Sequence, residues 1–257
     1  MLRTVARHAA AAVSRVDLLY RFCRRVVDYQ RGDNDDDMRV NGELTFMQQQ
    51  LPAAAVVFDV GANVGDWTAC ALAINGQANY HCFEPSAATF AALEQRGWPE
   101  NVTLNHAALG ASQGAMTLHV FGERLAANSL YNRQGTDAVT QRLESVSVDT
   151  VDRYCAERGI EHIGFLKIDT EGHELAVLEG ASGMIRDGRI DTIQFEYGGT
   201  YIDARVWLRD VWDLIARLNP SYRFYKLHTD GPRRIDAYRQ SLETFQYSNW
   251  AIRRGGS

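Results

Sequence analysis

Residues 2–27 place Leu2, Val5, Ala9, Val13, Val16, Leu19, Tyr20, Cys23 and Val27 at helical spacing, with Arg3, Arg7, Arg15, Arg21, Arg24 and Arg25 between them. That pattern predicts a basic amphipathic helix, packed on its own domain or on a second subunit, with docking to a membrane surface as the sharper alternative. RGDNDDDMR (31–39) follows as an acidic connector, expected to be a solvated loop because it lacks the later Glu of an EF-hand. From residue 53 the pattern changes to short apolar runs alternating with helical ones. AAVVFDV (54–60), ANYHCFE (78–84), NVTLNHA (101–107), HIGFLKID (162–169) and RIDTIQFE (189–196) read as strands, and their alternation with helices predicts a mostly parallel sheet covered on both faces. GAMTLHVF and LESVSVDT alternate strictly and read as an inserted antiparallel pair or added edge strands. Helices are expected at 173–186 and 203–218, and YRFYKL (222–227) with FQYSNWAI (245–252) closes the chain as a strand pair. The expected organisation is an extension over residues 1–40 and one α/β domain over 41–257.

Composition narrows the choice. The chain has 257 residues, 46% of them hydrophobic, and 27 Lys plus Arg against 32 Asp plus Glu, a net charge of −5. That excludes a disordered chain and argues against nucleic acid as the main partner. Cys23, Cys70, Cys82 and Cys155 are scattered without metal-ligand spacing, which fits a reducing cytoplasm. No apolar run is long enough to span a bilayer, and Arg15, Asp17 and Arg21 interrupt the N-terminal stretch, so neither a spanning helix nor a signal peptide is expected.

The segment richest in chemistry is FDVGANVGDW (58–67), a buried strand that turns through Gly61, Asn63 and Gly65 into a helix. Such a turn is expected to bring backbone close to a ligand and aim free N–H groups at it. The dinucleotide fingerprint needs glycines where this chain has Asn63 and Asp66, which weakens an oxidoreductase reading. Glu84 closes the second strand, where an acidic side chain accepts ribose hydroxyls in nucleotide-binding α/β sheets.

Asp-x-Gly-x-Asn-x-Gly at the first strand resembles motif I of class I S-adenosylmethionine-dependent methyltransferases. FLKIDTEGHELAVLEGA (165–181), with SVSVDTVDRYC (145–155) before it and FEYG (195–198) after it, resembles the signature of the FkbM-type methyltransferases, Lys-Ile-Asp-x-Glu-Gly-x-Glu. NGELTFMQQQL (41–51) is similar to the segment ahead of motif I in some of these proteins. The likeness covers most of residues 41–200. It implies a Rossmann-like, seven-stranded sheet and S-adenosylmethionine as cofactor, with Asp59, Gly61, Asn63 and Gly65 on the methionine side, Glu84 on the ribose, and Asn105 to Ala107 beside adenine. Asn128-Ser129 is read as facing cofactor or acceptor, or as a plain turn.

At the fourth strand Lys167, Asp169, Glu171, His173 and Glu174 crowd a strand end and should project into the same crevice. Methyl transfer to an alcohol needs an in-line nucleophile and a group to take its proton. Asp169, Glu171 and His173 are the catalytic candidates, with His173 first choice for the base and Glu174 equally readable as a helix cap. Asp169, Glu171 and Glu196 are candidate ligands for a divalent metal, which is an option rather than the favoured reading. Acceptor recognition is expected from Tyr197 to Asp203, with Tyr201, Trp207, Tyr225 and His228 as stacking candidates and Trp207 more readily a core residue. The expectation is an O-methyltransferase acting on a hydroxyl of a small molecule, natural product or glycan. The alternatives are a partner-dependent docking protein that binds cofactor without turnover, a carboxyl methyltransferase on a peptide and, weakest, a dinucleotide oxidoreductase. A homodimer is compatible with the pattern.

Overall fold

A computed structural model describes residues 17–121, 129–131 and 141–255. Residues 2–16 of the expected helix and Asn128 lie outside the described residues. Five runs rich in β-branched and aromatic residues form the centre of the sheet: β1 (Val56–Val60), β2 (Asn79–Phe83), β3 (Val102–Asn105), β7 (Ile163–Ile168) and β8 (Ile190–Tyr197). They pair in parallel in the order β3-β2-β1-β7-β8. The chain returns through β9 (Tyr222–Lys226) and inserts β11 (Ser248–Arg254) antiparallel between β8 and β9. The seven expected strands are all present, and a short β10 (Arg233–Ile235) adds an eighth at the edge of β9.

The inserted pair forms a sheet of its own. β4 (Ala108–Leu109), β5 (Gly114–Phe121) and β6 (Gln141–Asp149) run in the order β4-β6-β5, and Ser129 bridges back to His119. α1 (Asp17–Arg31) and α2 (Glu43–Gln50) precede the sheet, α3 (Asp66–Ile74) and α4 (Ala87–Glu94) follow β1 and β2, and α5 (Val151–Arg158) leads into β7. The helix expected over 173–186 breaks at Ala181 into α6 (Glu174–Gly180) and α7 (Ser182–Arg186). The one expected over 203–218 divides into α8 (Thr200–Ala204) and α9 (Leu208–Leu218), because Arg205 takes a left-handed backbone with φ 58°. Trp207, expected in the core, precedes α9 and is 53% exposed.

Two apolar clusters fill the faces of the sheet. Ile168, Ile193, Phe195, Val211 and Trp250 belong to one; Phe46, Val57, Trp67, Tyr80 and Phe165 belong to the other. Their burial is the main favourable contribution to the fold. The connector before α2 is mostly exposed, as expected of a solvated loop, but it is pinned to the body of the protein. Asp33 is buried in an ion pair with Lys226, Asn34 donates its N–H to the Tyr247 carbonyl, and the backbone of Gly42 packs against that of His228. No helix among the described residues is long and apolar enough to cross a membrane. None of the described α1 residues is buried, so its apolar face finds no cover among the described residues.

Candidate active site

The carboxyl ends of β1, β2, β7 and β8 open into a cavity of about 830 Å³, within the range of small-molecule sites. Gly61, Ala62, Asn63 and Glu84 line one side; Asp169, Glu171, Glu196 and Thr200 line another. The sheet brings these residues together because every parallel strand ends on the same edge.

The turn after β1 is held by its own neighbours. The N–H groups of Gly61 and Ala62 both donate to the Phe83 carbonyl at 2.9 Å, and that of Asn63 donates to Glu84 Oε2 at 3.0 Å. Val64 N–H donates to Asn63 Oδ1 and Gly65 N–H to the Ala62 carbonyl. The expectation of free N–H groups here therefore fails. Since all five amides are engaged, the turn offers no cradle for a pyrophosphate, which binds through such donors. Gly61, at φ 82°, is required by packing: a Cβ would lie 1.8 Å from the Asp169 carbonyl oxygen, so the β1 turn sits directly on the segment after β7. Gly65 faces Trp98 and Leu93 under α4 rather than the cavity.

Asp59 does not line the cavity. Its carboxylate lies beneath the turn, accepting from Thr68 Oγ1 at 2.6 Å and from Lys167 Nζ at 3.2 Å. Burial opposes the charge on Lys167, but Asp59, Asp169 and Glu43 outweigh it and hold the ammonium well above its ordinary pKa. Asn105 is also spent on structure, donating to the Cys82 carbonyl and accepting from Tyr154. Neither Asn105 nor Ala107 reaches the cavity, whose wall at that end is Phe83, Pro85, Ala108 and Leu109.

Glu84 does face it. The side chain is 5% exposed, anchored by the N–H groups of Asn63 and Ser86, and burial raises its pKa to about 7 despite them. Two backbone donors leave further lone pairs on the carboxylate for ligand hydroxyls. Of the charged side chains lining the cavity among the described residues, seven are carboxylates and Lys167 is the one ammonium. A buried carboxylate beside an electronegative, phosphate-averse turn fits a cationic adenosyl sulfonium with a free ribose.

Asp169 lies 3.3 Å from Lys167 and faces the cavity. Glu171 holds a left-handed backbone at φ 54°, and its carbonyl accepts from Ser129 Oγ at 2.8 Å. Glu174 is fully inside, its carboxylate taking the N–H groups of Thr170 and Gly172 and the Thr170 hydroxyl. It thus clasps the 169–172 loop. His173 lines the cavity, but its Nδ1 lies 3.0 Å from the Tyr131 hydroxyl and its Nε2 is buried against Gly110. Burial pushes its pKa down to about 4, which keeps the imidazole neutral and able to accept a proton, but only as a weak base. Burial, with Asp169, Glu171 and Glu174 nearby, raises the Glu196 pKa well above the carboxylate range. Although Asp169, Glu171 and Glu196 share the wall, no three His, Cys, Asp or Glu among the described residues are grouped to hold a metal ion.

The family model described as Methyltransferase FkbM domain matches residues 59–223, more than half of the chain. The chain belongs to the FkbM methyltransferase family. Among curated relatives, the 31-O-demethyl-FK506 methyltransferase FkbM of Streptomyces tacrolimicus is 28% identical over 51% of this chain and 61% of its own length. The hexuronic acid methyltransferase AglP of Haloferax volcanii is 27% identical over 68% of this chain and 67% of its own. The chain therefore spans about three fifths of the first relative and two thirds of the second. Among solved structures, the plantazolicin methyltransferase BpumL in complex with SAH aligns over 93% of this chain and 91% of that one, at 7% identity and a TM-score of 0.44. An rRNA methylase from Streptococcus thermophilus aligns over 87% of this chain and all of that one, at 13% identity and a TM-score of 0.46.

Glu43 and Tyr247 also line the cavity and went unassigned in the sequence reading. Glu43 sits in NGELTF, whose position ahead of motif I was the available signal. Tyr247 lies just before β11, and only the insertion of that strand beside β8 brings it to the site. Tyr201, 1% exposed, packs edge-on against Tyr197, and His228 packs beneath the connector, so neither is presented for stacking.

Proposed function

We propose that the protein is an S-adenosylmethionine-dependent O-methyltransferase whose acceptor is a neutral hydroxyl of a small molecule or glycan. Residues 41–257 form the transferase unit in this reading, and residues 1–40 an extension. The observation that carries it is Glu84: a buried carboxylate at the end of β2, facing a β1 turn whose amides are all engaged. Glu84 accepts the ribose hydroxyls, Gly61 to Asn63 give the methionine portion a close-packed wall, and Ala108 with Leu109 flanks the base. The bound sulfonium supplies an electrophilic methyl group and a neutral thioether leaving group.

Asp169 orients the acceptor hydroxyl and is itself fixed by Lys167. Glu196, on the same wall of the cavity, takes the hydroxyl proton as the C–O bond forms. The carboxylate-rich wall repels anionic acceptors and hydrogen-bonds polyols. Among the relatives, the protein from S. tacrolimicus is named for an O-demethyl substrate, which supports oxygen as the acceptor atom.

Calorimetry with S-adenosylhomocysteine and with NADH comes first. Binding of the former alone is expected, and binding of NADH alone would contradict the reading. Against hydroxylated acceptors, Asp169→Asn and Glu196→Gln should each lower kcat about 100-fold or more while leaving homocysteine-cofactor affinity within about threefold. Wild-type turnover in both variants removes the assigned roles.

A further inference from the structure

Among the described residues, α1 is a helix without a partner for its apolar face. At 100° per residue, Leu18, Leu19, Phe22, Val26 and Tyr29 share one continuous face, and Arg21, Arg24, Arg25 and Arg31 lie with Asp17 and Asp28 on the other. Leu18 is 79% exposed, Phe22 64% and Tyr29 62%. A 15-residue helix is marginal alone in water and is normally held by burial of its apolar face, which the rest of the described chain does not provide.

Charge decides what covers that face. Residues 1–31 hold seven Arg, no Lys and two Asp, a net +5; residues 32–257 hold the remaining 20 basic and 30 acidic side chains, a net −10. A second copy offers no comparable apolar face on its body: the other exposed large apolar side chains among the described residues are Val40, Leu143, Ile202 and Trp207, single positions on different segments. Two copies would have to pair α1 on α1, which covers the apolar faces but leaves both sets of arginines pointing outward without an anionic partner. An anionic lipid surface accepts the apolar face and neutralises the arginines at once.

We infer that α1 is a surface anchor that lies in the headgroup region of an anionic bilayer, with Leu18, Phe22 and Val26 in the acyl boundary and the arginines at lipid phosphates. Its far end is fixed to the body: Arg233 donates to the Gln30 carbonyl, and Asp33 pairs with Lys226. Asp36, five residues beyond the helix, is exposed and lines the cavity. The anchor itself does not depend on the transferase reading above.

The test is sedimentation of the full-length protein with phosphatidylcholine vesicles and with vesicles that also contain phosphatidylglycerol, paired with light scattering for mass. Binding to the anionic vesicles alone is expected, weakening as salt rises. Arg24→Gln with Arg25→Gln should lower partitioning roughly 30-fold, from the usual contribution of a basic residue at such a surface. Leu18→Ser with Phe22→Ser should abolish it, and all four sites are exposed, so thermal stability serves as the folding control. Absence of vesicle binding, equal binding to both vesicle types, or a dimer that the Leu18 and Phe22 changes dissociate would each overturn the inference.

Discussion

Glu84 must act as an anion where its surroundings disfavour one. Burial raises its pKa from 4.5 to about 7, against the two backbone N–H groups that favour the charge. The signs for binding and stability are opposite. The folded pKa exceeds the unfolded one, so the stability Glu84 contributes is fully present below pH 4.5 and is lost as pH rises through about 7. Accepting two ribose hydroxyls requires the carboxylate, so cofactor affinity should increase with pH over the same window. Calorimetry with S-adenosylhomocysteine should show binding roughly tenfold weaker at about pH 6 than at about pH 8, and Glu84→Gln should bind weakly with a flatter profile. An unchanged pH profile in the variant would remove Glu84 from the ribose. His173 marks where residue-level reading stopped. Its place by the cavity was legible from the strand end, but its lowered pKa comes from burial, among groups such as Tyr131 and Gly110 that are not adjacent in sequence.

At the scale of elements, the site depends on the β1 turn and the 169–172 loop meeting backbone to backbone. Glu174 shapes the loop from within, Ser129 ties it to the inserted sheet, and the Asp169 carbonyl occupies the space a side chain at position 61 would need. Gly61→Ala should therefore cost at least about 2 kcal/mol and abolish cofactor binding. Gly97 is a matched control, since it also has positive φ but nothing within 4 Å of an added Cβ; Gly97→Ala should cost about 1 kcal/mol and leave binding intact. Equal melting temperatures and affinities for the two variants would contradict this account of motif I. The central strands were legible because buried parallel strands must be continuously apolar. The start of α9 was not: Asp210 accepts from the Trp207 N–H, and Glu243, more than 30 residues on, accepts from Leu208 and Arg209. Capping supplied from so far along the chain leaves no local pattern to read.

Across the whole molecule, the order β3-β2-β1-β7-β8-β11-β9 gathers one edge of five parallel strands into a single electronegative cavity, while basic charge concentrates in the N-terminal segment. The alternation of strands and helices, with motif I and FLKIDTEGHE, made that architecture readable. It did not show that the acidic connector folds down to help line the cavity, because Asp33–Lys226 and Asn34–Tyr247 join residues about 200 positions apart. The most direct test of the whole account is a crystal structure with S-adenosylhomocysteine. It should show both ribose hydroxyls within hydrogen-bonding distance of Glu84 and the sulfur turned toward Asp169 and Glu196. A ligand bound elsewhere, or one that leaves Glu84 untouched, would contradict it.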